Sequence, residues 1–202
     1  MKTILNKIPI TLLYSRLLVS VIIIVLSFIK INPLVIVSLS IYAIISDIFD
    51  GIIARRLKIS TIILRQLDTK IDTIFWFSCL FYLCITHQAF LRSHLVHLFI
   101  LVFSEIFIIV YGKIKFNERI SYHTILSKLW ALCLLWFFID ITLGGSGRIS
   151  FAVSFWYGLF VQIEILLIAS ILKQNQTDIP FLFHAFKLRK GLKIRRNGLF
   201  NG

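Results

Sequence analysis

Apolar and polar positions divide this chain into six long apolar stretches separated by short polar ones. The stretches run roughly Pro9 to Ile29, Pro33 to Ala54, Thr61 to Ile85, His94 to Tyr111, Lys128 to Leu143 and Phe151 to Leu172. A helix crossing the hydrocarbon layer needs about 20 residues, with a range near 17–25. Each stretch therefore predicts a transmembrane helix, the open-ended element whose backbone groups are satisfied internally in lipid. Pro33 suits the first turn of the second helix, where its missing N–H is no loss. Gly144-Gly145-Ser146-Gly147 marks a turn between the fifth and sixth. No internal repeat or low-complexity tract is present. The expected fold is all-α and polytopic. Residues 1–176 are expected to form one membrane domain, and residues 177–202 a basic cytoplasmic or interfacial tail.

Composition agrees with this reading. The chain has 202 residues, 58% of them hydrophobic, and a mean hydropathy of +0.91. Soluble domains are about 45–50% apolar, so a membrane domain is expected with no room for a second folded one. The first stretch is too long for a signal peptide, carries Arg16, and lacks a small-residue cleavage site.

The net charge of +13 could suggest nucleic acid as a partner, but its distribution argues against that. Lys2 and Lys7 precede the first span, and Arg55, Arg56 and Lys58 lie between the second and third. Lys113, Lys115 and Arg119 lie between the fourth and fifth, and Lys187, Arg189, Lys190, Lys193, Arg195 and Arg196 fill the tail. The opposite face has only Lys30, Arg92 and Arg148. The positive-inside rule places both termini in the cytoplasm. No nucleic-acid partner is expected. In the tail, Phe181, Phe183, Phe186 and Leu188 interleave with the cations, so it reads either as an interfacial amphipathic segment or as a disordered topogenic tail.

Four of the nine acidic residues break the second and third stretches: Asp47, Asp50, Asp68 and Asp72. A carboxylate at membrane depth costs at least roughly 2.5–3.5 kcal/mol, so it must be paired, metal-bound or open to water. Asp47 and Asp50 are three apart, and Asp68 and Asp72 four apart, so each pair projects from one helical face. Two antiparallel helices joined by a short turn bring such pairs together. An all-oxygen cluster suits Mg²⁺ or Mn²⁺ rather than Zn²⁺. Four carboxylates suit two ions, an arrangement adapted to phosphoryl chemistry. Gly51 and Ala54 leave room for close approach, and Arg55 is placed to neutralise a carboxylate or hold a phosphate. The plainer alternative is that the acids only pair with Arg55, Arg65 and Lys70.

These residues carry a resemblance. The signature of the CDP-alcohol phosphatidyltransferases reads Asp-x₂-Asp-Gly-x₂-Ala-Arg-x₈-Gly-x₃-Asp-x₃-Asp. Asp47, Asp50, Gly51, Ala54, Arg55, Asp68 and Asp72 fall in register with it, and Leu64 stands where the second glycine belongs. The resemblance implies transfer of a phosphatidyl group from CDP-diacylglycerol to the hydroxyl of a small alcohol, with CMP leaving. It implies that Asp47, Asp50 and Asp68 hold two Mg²⁺ or Mn²⁺ ions with help from Asp72. It also implies that Asp72 deprotonates the acceptor and that Gly51, Ala54, Arg55 and position 64 border the nucleotide. Leu64 puts the last contact in question. The active site would lie at the cytoplasmic face of a multi-pass membrane protein, with the bacterial inner membrane the expected location. Homodimers are common in the family, and the chain is compatible with one.

An anionic acceptor needs cations. Ser127-Lys128 looks like a variant of a Gly-Lys pair found there in many members, and Arg16 resembles an arginine near the start of many members. Lys128 is the first candidate for the acceptor site, with Arg119, Arg16 and Arg65 behind it; His123 shares the loop with Arg119. Plain topogenic charge is the alternative for each. Such cations suit glycerol 3-phosphate, the leading acceptor, or inositol phosphate; serine or a second lipid needs them less. Two rival classes are a divalent-cation transporter and a catalytically weak relative that only binds a nucleotide-lipid.

Cys79, Cys84 and Cys133 fall inside spans and form neither a disulfide framework nor a zinc site, so they are expected to be buried small apolar residues. His87, His94 and His97 lie away from the aspartates. Glu105 and Glu164 lie deep in spans and are expected to bond neighbouring helices or line a cavity, whereas Asp140 lies near an interface.

Overall fold

The computed structural model describes residues 8–57, 61–120, 122, 124–176 and 179–192, apart from the side chains of Arg55, Arg56, Ile62, Ile63 and Arg65. Lys2, Lys7, Lys58, His123, Lys193, Arg195 and Arg196 fall outside the described residues. Among those described, every regular element is an α-helix: α1 (Ile8–Leu26), α2 (Pro33–Arg56), α3 (Ile62–Thr86), α4 (Gln88–Ser93), α5 (Leu95–Phe116), α6 (Ile125–Thr142), α7 (Arg148–Ile171) and α8 (Leu182–Arg189). Six of them, α1, α2, α3, α5, α6 and α7, are long and apolar enough to cross a membrane. The chain is a multi-pass integral membrane protein. Large side chains left outward, such as Phe103, Val96, Trp156 and Ile149, are those a lipid environment accepts.

Two compact units make up the chain. The first holds α1 to α4 and residues 138–146, which include the last turn of α6. Here α1 packs against both α2 and α3. Small buried residues (Ser20, Ser40, Ala43 and Ser46) permit that closeness, and the three serine hydroxyls donate to their own helices' carbonyls. Leu13, Ile23, Ile36, Ile71 and Phe75 fill the core, and Tyr82 meets Phe138 edge-on at 5.8 Å. Helix α2 starts as its sequence predicts. Asn32 Oδ1 accepts the Leu34 N–H at 3.0 Å, and Pro33 occupies the first turn.

The second unit holds α5, most of α6, α7 and α8. Gly158 of α7 lets Trp130 of α6 lie so close that an added Cβ would fall 2.6 Å from the indole nitrogen. That nitrogen donates to the Ser154 carbonyl at 3.0 Å, and the Ser154 hydroxyl donates to the Cys133 carbonyl at 2.8 Å. Helix α5 runs past the expected end at Tyr111 to Phe116. Hydropathy falls at Lys113 and Lys115, but the helix continues because the Lys115 ammonium donates to the Ala169 and Ser170 carbonyls at 2.7 and 2.8 Å. Asn117, in the left-handed region at φ 56°, ends it.

Part of the tail is folded. Ile179 and Ala185 are fully buried, and the backbone N–H groups of Ile179 and Ile125 donate to the carbonyls of Tyr122 and Pro180, each at 3.1 Å. Glu164 Oε1, deep in α7, accepts the Leu182 N–H at 3.3 Å and so serves the open start of α8. The expectation that Glu164 bonds a neighbouring helix holds. Cys79 is buried as expected, whereas Cys84 is exposed and Cys133 half-buried. His94 and His97 lie edge-on against Phe151 and Phe155.

Candidate active site

Helix α2 carries Asp47, Asp50, Gly51 and Ala54 in its last turns, and α3 carries Leu64, Asp68 and Asp72 in its first three. The signature residues therefore straddle one helix–helix connection. Thr61 caps α3: its Oγ1 accepts the Leu64 N–H at 3.2 Å. Leu64 thus lies in the first turn of α3, one turn before Asp68. Gly51 is half-buried and Ala54 buried. Facing these helix ends within the same unit is α1, which supplies Arg16.

One carboxylate oxygen from each of Asp47, Asp50 and Asp68 lies within 4.8 Å of the other two. The Arg16 guanidinium sits among them. Its Nη2 pairs with Asp50, and its Nη1 reaches Asp47 Oδ1 at 2.8 Å, Asp68 Oδ1 at 3.2 Å and also Asp72 Oδ1. All four carboxylates therefore converge on one side chain. An Nη carries two N–H groups, so Nη1 has three oxygens for two hydrogens. The Arg16 Nε is buried with no hydrogen-bond partner among the described residues.

Exposure is graded across the cluster. Arg16 is 1% exposed and Asp50 6%, whereas Asp68 is 22%, Asp72 32% and Asp47 37% exposed. Arg16 and Asp50 form the floor, and Asp47 and Asp72 stand at an open mouth.

Two other residues singled out by the sequence belong to the second unit. Lys128 begins α6 in the second unit and is half-buried, with its backbone N–H donating to the Thr124 carbonyl at 3.3 Å. Arg119, half-buried on the loop after α5, accepts a hydrogen bond at its carbonyl from Asn175 Nδ2 at 3.3 Å. The side chains of Arg55 and Arg65 lie outside the described residues. The sequence reading placed Arg16 with the acceptor cations. Its contacts with all four aspartates were signalled only by its being an arginine inside an apolar run, where it requires a counter-charge.

A sequence model of the CDP-alcohol phosphatidyltransferase family matches residues 6–163. The chain belongs to that family. The matched segment takes in Arg16, all four aspartates, helices α1 to α6 and most of α7; α8 lies beyond it. No curated protein and no solved structure shows a significant match. CDP-alcohol phosphatidyltransferases move a phosphatidyl group from a CDP-linked alcohol in phospholipid synthesis, and their chemistry generally depends on a divalent cation. The cluster fits such an ion on its own terms. Its donors are all carboxylate oxygens, the set preferred by Mg²⁺ and Mn²⁺. Opposite ligands of an ion with bonds near 2.1 Å lie about 4.2 Å apart, so oxygens grouped within 4.8 Å need little rearrangement.

Proposed function

We propose that this chain transfers the phosphatidyl group of CDP-diacylglycerol to the hydroxyl of a small alcohol and releases CMP. The convergence of Asp47, Asp50, Asp68 and Asp72 at one mouth supports this reading, because it combines the family's signature with an all-oxygen cation site. Asp47, Asp50 and Asp68, with Asp72 at the edge, would hold Mg²⁺ or Mn²⁺, with two ions expected. Ions held there would supply positive charge to neutralise the donor pyrophosphate.

Asp72 acts as the general base. It accepts the proton of the acceptor hydroxyl, whose oxygen forms the new bond to the lipid phosphorus while the bond to the CMP oxygen breaks. Its exposure suits that role, and Asp50 on the floor is better suited to holding a cation. Gly51, Ala54, Arg55 and Leu64 border the nucleotide. Leu64 sets a larger side chain than glycine at that border and bears on how tightly the donor binds.

Glycerol 3-phosphate is the leading acceptor, with Lys128, Arg119, Arg16 and Arg65 as candidate partners for its phosphate; inositol phosphate and serine are the alternatives. Both termini and the site mouth would face the cytoplasm, at a bacterial inner membrane, and a homodimer is compatible with the chain. The test is a panel of acceptors offered one at a time to purified protein with CDP-diacylglycerol and Mg²⁺ or Mn²⁺, with mass spectrometry of the lipid product. Phosphatidylglycerol phosphate as the product supports the leading acceptor. A different head group replaces the acceptor and leaves the reaction type standing. A cation-transport reading wants acids spread through the membrane depth, whereas these four meet at one guanidinium.

A further inference from the structure

Arg16 is placed where a bound cation would be. Its Nη1 touches oxygens of Asp47, Asp68 and Asp72, and its Nη2 pairs with Asp50. The oxygens of Asp47 and Asp68 that approach Nη1 belong to residues grouped for metal binding. A divalent ion held by these carboxylates would lie close to Nη1, and the two positive charges repel at that distance, so the ion and the guanidinium compete for the same carboxylates.

The bonding of the guanidinium also suggests an unfinished arrangement. A settled buried arginine places its five N–H groups on separate acceptors. Here Nη1 has more oxygens than hydrogens, while Nε, also buried, has no acceptor among the described residues. Helix α1 anchors the backbone beside it, since the Ser20 hydroxyl donates to the Arg16 carbonyl at 2.9 Å. Movement therefore falls to the side chain, which has several rotatable bonds.

We infer that Arg16 is an exchangeable internal counter-ion. It holds the four carboxylates together when no metal is present, competes with the metal for their oxygens, and withdraws its Nη1 when the metal binds. This rests on the reading of the aspartates as a metal site. Arg16 is a positioning residue here, since it acts through the aspartates and on no reacting atom. Its competition lowers metal affinity and makes loading reversible, and its charge offsets the repulsion among the carboxylates of α2 and α3.

The test measures Mn²⁺ binding and the melting temperature of detergent-purified full-length protein, with no lipid substrate present. Arg16→Met is expected to bind Mn²⁺ at least about tenfold more tightly than the parent, since a competing charge is gone from contact distance. It is also expected to melt lower than the parent without metal and to gain more from saturating Mn²⁺. Arg16→Lys, which keeps a charge but loses the fork, is expected to fall between the two. In the unaltered protein, selectively ¹⁵N-labelled arginine gives a second readout that needs no folded Met variant. The Arg16 side-chain signal, assigned by its loss in Arg16→Lys, should move when Mg²⁺ saturates the site and should stay put in Asp50→Asn.

Tighter binding with the larger thermal gain, or the shifted signal, supports the exchange. Metal binding to the parent with equal or weaker binding in Arg16→Met, or with an unmoved Arg16 signal, overturns the inference and leaves the metal site standing. Absence of binding in both parent and variant overturns the metal reading and the inference together.

Discussion

The two units place charged groups in membrane-length helices by opposite means. In the second unit, Glu164 gives one oxygen to the Leu182 N–H, and Lys115 gives its ammonium to the Ala169 and Ser170 carbonyls. Those partners are backbone groups at helix ends, which lack intrahelical bonds anyway. Such charges complete an architecture. In the first unit, four carboxylates share one guanidinium, and most of them remain partly open at a mouth. Burial alone does not separate a structural charge from a functional one. The kind of partner does: Lys115 and Glu164 Oε1 meet backbone groups, with Glu164 Oε2 buried and without a hydrogen bond among the described residues, whereas the aspartates meet a guanidinium beside a family signature.

The largest expected effect comes from the mouth of the cluster. Asp72→Asn is expected to lower turnover by about 10²- to 10⁴-fold, the range typical of a lost general base, while donor binding is largely kept. A turnover assay beside a CMP-competition binding assay checks it. Full activity in that variant removes Asp72 as the base. Next comes Asp50→Asn, which removes charge from the floor. It should weaken Mn²⁺ binding markedly and raise the metal concentration needed for half-maximal rate. An unchanged metal requirement would place the ion elsewhere.

In the second unit the effects are expected in stability. Gly158→Ala forces a Cβ against the Trp130 ring, and overpacking of this kind costs about 1–3 kcal/mol. Thermal unfolding followed by Trp fluorescence should register that loss with no change in metal affinity. Glu164→Ala removes the acceptor for the first N–H of α8, and loss of a capping acceptor costs about 0.5–2 kcal/mol. Proteolysis after Lys187, Arg189 or Lys190 should then speed up, while metal binding at the aspartates stays as it was. If Glu164→Ala instead altered metal affinity, the contrast between the units would fail.

Leu64→Gly bears on the one departure from the signature. It should lower the donor KM several-fold. Glycine in a helix also costs up to about 1 kcal/mol, here in the first turn of α3. A donor KM that does not move removes position 64 from the nucleotide border.

The spans were legible in the sequence because lipid demands a long apolar stretch whatever the tertiary contacts. The cluster was partly legible for a related reason. Carboxylates at spacings of three and four on neighbouring helices must converge or be unsatisfied. Helix ends were read less well. At α5 the hydropathy drops at Lys113 and Lys115, but their positions continue the helix because Lys115 finds carbonyls on α7. Helix α4, six residues long, is too short for a periodic signal. The convergence of Arg16 on the aspartates was not legible, since it depends on how α1 lies against α2 and α3. That packing is set by small residues such as Ser20, Ser40 and Ala43, whose positions do not announce a partner.

The most direct measurement follows CMP release by purified protein supplied with CDP-diacylglycerol, glycerol 3-phosphate and Mg²⁺ or Mn²⁺, with a chelated sample and Asp72→Asn in parallel. The account predicts release that requires the acceptor and the divalent ion and is lost in Asp72→Asn. Folded, metal-binding protein that releases no CMP with any acceptor in the panel, or that carries Mn²⁺ into sealed vesicles instead, would contradict it.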